Sequence, residues 1–227
     1  MPRKPRYTPK DLCYHVINRS AGRFPMFKFD RDFLAFYRII AECHARTPLP
    51  ILAFCIMNNH WHFVVKPTTN TQITDFFRWL ANTHAMRFRV ARNTVGHGHL
   101  YQGRFKTFPI QSAGALLKTI RYVERNPLTA KLVRKAENYR WSSLHLRTQG
   151  EDPSLLPADL LVPWPVPQPR NWLAQVNAAI SDKDLAAIRA SVATGRPFGE
   201  PDWVAATAKK LGLDHTLRPR GRPRKTQ

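Results

Sequence analysis

The 227-residue chain reads as an α+β protein. The expected core is a ferredoxin-like antiparallel sheet with helices on one face, followed by a helical and extended C-terminal extension. Three observations predict this. Ile51 to Met57 and Trp61 to Lys66 are strand-like runs rich in β-branched and aromatic residues, and Asn58-Asn59 between them is turn chemistry. Segments beside this hairpin repeat their apolar residues at helical spacing. The order is strand, helix, strand, strand, helix, strand and one more helix, which is two split βαβ-type halves.

The first strand is expected at Leu12 to Arg19, closed by Ser20-Ala-Gly-Arg23. Phe29 to Cys43 follows as an amphipathic helix with Phe33, Phe36, Tyr37, Ile40 and Ala41 on one stripe. Asp30 and Asp32 lie near its start, where the helix dipole favours acids. After the hairpin, Thr71 to Arg92 reads as a helix burying Ile73, Phe76, Phe77, Leu80, Thr83 and Met86. Asn93 to His99 is a loop, and Leu100 to Ile110 a fourth strand, with Pro109 suited to an edge or a strand end. Ser112 is a candidate cap for a helix from Ala113 to Arg125, which Pro127 is expected to interrupt or end. A short helical piece at Leu128 to Arg134 and a compact segment at Trp141 to Leu144 come next.

Residues 1–149 therefore form the expected core domain, and 150–227 an appendage. The appendage begins with a Pro-rich linker or strap, continues through two short helices in Asn171 to Ala193 and one at Pro201 to Leu211, and ends in a basic tail.

Lys and Arg number 36 against 15 Asp and Glu, a net charge of +21. That imbalance points to a polyanion, most simply nucleic acid. No apolar run approaches the roughly 18 residues of a membrane span, and the N-terminus lacks a signal-peptide core. Three cysteines without a Cys-x-x-Cys pair argue against a disulfide framework or a cysteine zinc site. The expected location is cytoplasmic and nucleoid-associated. The sequence sets no oligomeric state.

The chemistry-bearing residues are few. His60 and His62, two apart on a strand, share one face and form a candidate metal pair. The plainer alternative is two histidines on a half-exposed strand. Tyr122 and Asn126, one helical turn apart, also share a face. A helix packed beneath the sheet would aim that face at the histidines. A divalent cation, Mg²⁺ or Mn²⁺, would then meet two imidazole nitrogens and one amide oxygen, with positions left for a phosphate oxygen and water. The plainer alternative for Tyr122 is a core tyrosine anchoring its helix; of the six tyrosines, it alone pairs a helical position with an amide four residues on.

Four ordered motifs carry a resemblance: Tyr14-His15-Val-Ile-Asn18-Arg19, Met57-Asn-Asn-His60-Trp-His62, Gln102-Gly-Arg104-Phe105 and Tyr122-Val-Glu-Arg-Asn126-Pro127. Over roughly residues 12 to 145 the chain resembles the REP-associated tyrosine transposases. These are relatives of single-tyrosine insertion-sequence transposases in the His-hydrophobe-His (HUH) nuclease superfamily. Asn58 departs from the Pro common in relatives, which alters the turn and not a ligand. The resemblance implies that His60, His62 and Asn126 hold the metal and that Tyr122 is the nucleophile. It also implies a partner, single-stranded DNA hairpins of repetitive extragenic palindromes, and a covalent 5′-phosphotyrosine intermediate.

Arg19, Arg78, Arg104, Lys106 and Arg121 are the candidate DNA contacts in the core. Arg218, Arg220, Arg222, Arg224 and Lys225 are those of the tail, whose Pro-Arg-Gly-Arg-Pro centre also resembles an AT-hook. Two rival classes remain: a hairpin-binding protein without chemistry, and a metal-dependent nuclease in which water attacks.

Overall fold

The Asn58-Asn59 turn sets the register of the sheet. In the computed structural model, which describes residues 7–111, 113–150 and 155–218, it joins β2 (Ile51–Met57) to β3 (His60–Val65). β1 (Cys13–Arg19) and β4 (Lys106–Ile110) complete an all-antiparallel sheet in the order β2-β3-β1-β4. That is the ferredoxin-like order, as expected. Ser112 and the tail positions Arg220, Arg222, Arg224 and Lys225 lie outside the described residues, as do Arg3, Lys4 and Arg6 of the N-terminal arm.

Strand periodicity separates two faces. Ile17 pairs with His62 and Arg19 with His60, so these four side chains share one face. Trp61, Phe63 and Val16 lie on the other, against α1 (Asp30–Arg46) and α2 (Gln72–Ala91). The Trp61 and Phe77 rings stack at 5.5 Å, and Phe63 meets Phe77 edge-on at 5.3 Å. Each such side chain contributes about 1.5–3 kcal/mol through burial. α1 begins where Asp32 Oδ2 accepts from the backbone N–H groups of Lys28 and Phe29, at 2.9 and 3.1 Å.

The third helix, α3 (Gly114–Thr129), lies on the histidine face, against β2 and β3. Helices thus cover both faces, not the single face expected, because α3 packs on the histidine side, and every residue of β2 is buried. The expected stop at Pro127 does not occur there: α3 runs through it for two more residues. Proline forfeits only the donor to the Val123 carbonyl, and Ala130 N–H to Asn126 O at 2.9 Å resumes the ladder one turn on. The separate helix expected at Leu128 to Arg134 is absent; Lys131, at φ 57°, turns the chain instead.

The expected long fourth strand is shortened. Tyr101 bridges Ser20 beside β1, but Gly103 leaves the ladder and regular pairing resumes at Lys106. Asn18 Nδ2 donates to the Gly103 carbonyl at 3.3 Å, replacing a strand bond by a side-chain one. The excursion forms one wall of a cleft.

After α4 (Ser143–Gln149), the extension returns to the same core. Val162 N–H donates to Ile51 O at 3.0 Å, and Trp164 Nε1 to Leu52 O at 2.9 Å. α5 (Trp172–Asn177) buries Trp172 and Val176, α6 (Asp182–Thr194) buries Ile188, and α7 (Pro201–Leu211) buries Ala208. Phe198 forms a parallel bridge with Ile110 at the β4 edge, where Pro109 has no N–H to offer but its carbonyl accepts from Phe198 at 2.9 Å. Among the described residues, no helix is long and apolar enough to cross a membrane.

Candidate active site

β3 presents His60 and His62 on the face beneath which α3 carries Tyr122 and Asn126. The His60 and His62 ring centroids are 4.9 Å apart, and the Tyr122 ring lies 5.8 Å from that of His62, perpendicular to it. His60, Tyr122 and Asn126 line an open cleft of about 970 Å³, with His62 buried behind them. The structure thus brings together all four residues singled out for chemistry.

Both imidazoles are held through Nδ1. His60 Nδ1 lies 2.7 Å from Asn59 Oδ1, and Asn59 Nδ2 donates to the Arg23 carbonyl at 2.9 Å, which fixes the amide's orientation. An amide oxygen only accepts, so His60 carries its proton on Nδ1 and offers a lone pair at Nε2. His62 Nδ1 meets Nε2 of His15, a buried residue of β1, at 2.7 Å. His62 Nε2 and Asn126 Nδ2 are buried without hydrogen-bond partners. The unpartnered buried nitrogen of His62 fits a bound cation, for which Asn126 would turn its Oδ1 rather than its Nδ2, and imidazole held through Nδ1 is the usual geometry of a histidine ligand. Among the described residues, no three His, Cys, Asp or Glu side chains are placed to hold a metal ion together; the third donor here is an amide.

Burial lowers His15 to about 3; burial and then the charge of Arg19 lower His60 to about 3. His62 is held well below its ordinary value by burial, then by His60, His15 and Arg19. All three are neutral near pH 7, which is the ligand form. Burial raises the Tyr122 phenol, against the opposing charges of Arg189 and Arg19 and the nearby Asn126 amide. The amide sits beside the phenol oxygen without a hydrogen bond of good geometry.

Among the described residues, no acidic side chain lines the cleft, whereas Arg19, Arg23, Arg104, Lys106 and Arg189 do. Of the cations expected to contact DNA, Arg19, Arg104 and Lys106 are therefore at this wall. Lys106 Nζ also donates to the Ala193 carbonyl at 2.9 Å, at the end of α6. Arg121 lies outside the cleft and donates to the Ala178 and Ala179 carbonyls, both at 2.9 Å. Arg78 is exposed on α2, 3.3 Å from Asp75. Arg218 is exposed at the end of the described chain, just past His215 and Thr216 of the cleft rim.

Three participants were not singled out from sequence. His15 lay inside a quoted motif, and only the strand register shows that it faces His62. Arg189 and His215 come from the extension, and no local pattern marks them.

The family model for IS200-like transposases matches residues 8–126, more than half of the chain. No curated protein matches. Among solved structures, that of a REP-associated tyrosine transposase bound to a REP hairpin is similar in fold. The identity is 18%, the TM-score 0.53, and the match covers 71% of this chain and 94% of the other. A candidate transposase from Deinococcus radiodurans R1 is 20% identical over 56% of this chain and 97% of its own, with a TM-score of 0.39. Strands β1 to β4, both histidines and the Tyr122–Asn126 turn all fall within the matched residues, and the chain belongs to the IS200-like transposase family.

Proposed function

We propose that this transposase is a metal-dependent endonuclease and strand transferase acting on single-stranded DNA hairpins through a covalent 5′-phosphotyrosine. The observation that carries the reading is the Tyr122 phenol beside His60, His62 and Asn126 in a cleft lined by cations and, among the described residues, no acids. The hairpin held by the REP-associated neighbour supports the choice of substrate.

Tyr122 Oη attacks phosphorus in line, the P–O3′ bond breaks, and the 3′-oxygen leaves as a free hydroxyl on gaining a proton. The phenol loses its own proton in the process. Arg19 and Arg189 offset the charge that builds on the phenol and the phosphate. A phenol of ordinary pKa about 10 is a poor nucleophile at pH 7, so placement and charge neutralisation carry the rate. His60, His62 and Asn126 would hold Mg²⁺ or Mn²⁺, which supplies Lewis-acid polarisation of the phosphate; two imidazoles favour Mn²⁺. One phosphodiester is exchanged for another, so a second 3′-OH can reverse the bond and transfer the strand.

The test is a hairpin oligonucleotide incubated with protein and Mg²⁺ or Mn²⁺, then denatured. A covalent adduct is expected from the wild type. Tyr122→Phe should retain hairpin binding and lose the adduct by at least about 10³-fold, the scale of a missing nucleophile. Cleavage without adduct would assign the attack to water, and binding alone would leave a recognition module.

A further inference from the structure

The two histidines of the HUH pair are not held alike. Asn59 dictates the tautomer of His60, because its Oδ1 only accepts. The partner of His62 is another imidazole, which can accept or donate at the same 2.7 Å contact. Two arrangements are therefore open to the His15–His62 pair. In one, His62 Nδ1–H donates to His15 Nε2, and His62 Nε2 carries a lone pair. In the other, His15 Nε2–H donates to His62 Nδ1, and His62 Nε2 carries a proton that no cation tolerates. Each arrangement makes one hydrogen bond. Each leaves the same two nitrogens, His15 Nδ1 and His62 Nε2, without a partner. The pair is balanced, and a ligand at Nε2 decides between them.

We propose that His15 is a positioning residue that lets His62 bind a divalent cation, by accepting the His62 Nδ1 proton and so turning a lone pair toward the cleft. The inference rests on the metal site of the proposed function. Packing favours the role. His15 is fully buried, with the Phe108 ring edge-on at 4.8 Å and the Tyr122 ring at 6.2 Å, so it has no room to rotate its nitrogen away. The β1–β3 register places His15 opposite Val64, diagonal to His62, at the distance where long side chains meet across strands. Starting from the second arrangement, cation binding moves the shared proton from His15 Nε2 to His62 Nδ1, while the His62 Nε2 proton is released and His15 Nδ1 takes one up. In the loaded protein, both His15 and His62 carry their protons on Nδ1.

Two measurements test this without DNA. Mn²⁺ affinity by electron paramagnetic resonance should fall about 10–100-fold in His15→Phe, the usual effect of removing a ligand's hydrogen-bond partner. His15→Gln, whose amide oxygen can accept at the position of Nε2, should recover most of it. Two-bond ¹⁵N–¹H spectra of the wild type with Mg²⁺ should show both histidines protonated at Nδ1. A His62 bearing its proton on Nε2 in the loaded protein, or wild-type affinity in a folded His15→Phe, overturns the inference while the metal site stands. Failure of the wild type to bind Mn²⁺ overturns the metal site, and the role of His15 with it. Should His15→Phe not fold, His15→Gln and the wild-type spectra decide.

Discussion

Away from the cleft, Trp61 Nε1 donates to Tyr101 Oη at 3.0 Å, and Tyr101 Oη lies 2.6 Å from His84 Nδ1. Indole only donates, so the hydroxyl accepts from Trp61, and its own proton has an acceptor in His84 Nδ1 when that nitrogen carries the lone pair. His84 stacks on Phe27 at 5.2 Å and is held to about 3 by burial, which Asp32 opposes only weakly. The folded state therefore binds fewer protons than the unfolded one between the unfolded value, about 6.5, and about 3. The stability from a neutral His84 is fully present above about pH 6.5 and lost as pH falls through that window. At roughly 1.4 kcal/mol per pH unit, His84 alone costs about 2 kcal/mol by pH 5. His84→Asn keeps an acceptor near Nδ1 and does not titrate. Urea denaturation at pH 7.5 and pH 5 should show the variant losing about 2 kcal/mol less than the wild type. Equal losses would mean that His84 is already protonated, or free to rotate, in the folded chain.

The elements that sequence read well are those whose signal is local. β-branched and aromatic composition and an Asn-Asn turn placed β2 and β3, and the period of Phe33, Phe36, Tyr37 and Ile40 placed α1. α7 spans Pro201–Leu211 as expected, and its first-turn proline sits where no N–H is needed. Those it misread depend on distant partners. Leu100 to Ile110 has strand composition throughout, but Asn18, far away in sequence, takes the Gly103 carbonyl and breaks the ladder. The site divides in the same way: His60 with His62 and Tyr122 with Asn126 are short-range spacings, whereas His15 and Arg189 reach the cleft only through sheet register and the packing of α6. The cations of α3 show what charge counting omits. Arg125 Nη1 donates to the Val176 and Asn177 carbonyls at 2.8 and 2.6 Å, at the C-terminus of α5, where a helix favours positive charge. Arg125→Gln should cost about 1–2 kcal/mol and loosen α5, seen as a lower urea midpoint and faster proteolysis between residues 155 and 171. An unchanged midpoint and digestion pattern would show that α5 docks through Trp172 alone.

At the scale of the molecule, charge and topology converge on one opening. The extension crosses β4 and α3, adds Arg189 and His215 to the cleft, and leaves its rim at exposed Arg218. The remaining tail cations, Arg220, Arg222, Arg224 and Lys225, follow within seven residues. The described chain ends at Arg218, beside the rim of the cleft. A hairpin substrate offers both duplex and single strand there. Proline at 219 and 223 favours an extended segment, and Gly221 permits close approach to a groove. A plain polybasic tail and a minor-groove hook both predict affinity, but only the hook predicts a base preference. Neutralising a phosphate changes the salt slope by about −0.9 on duplex and about −0.7 on single strands. Deleting residues 219–227 should flatten the slope for hairpin binding by up to about 3.6 units if the tail lies on the duplex stem and about 2.8 if on single strand, since four cations are lost. Adduct formation by Tyr122 on a short oligonucleotide should persist at saturating DNA, because no tail residue is needed to place the phenol. The slope is measured by fluorescence anisotropy across salt, with A·T-rich and G·C-rich stems. An unchanged slope removes the tail from the interface. A flatter slope without stem preference keeps the phosphate contacts and removes the hook.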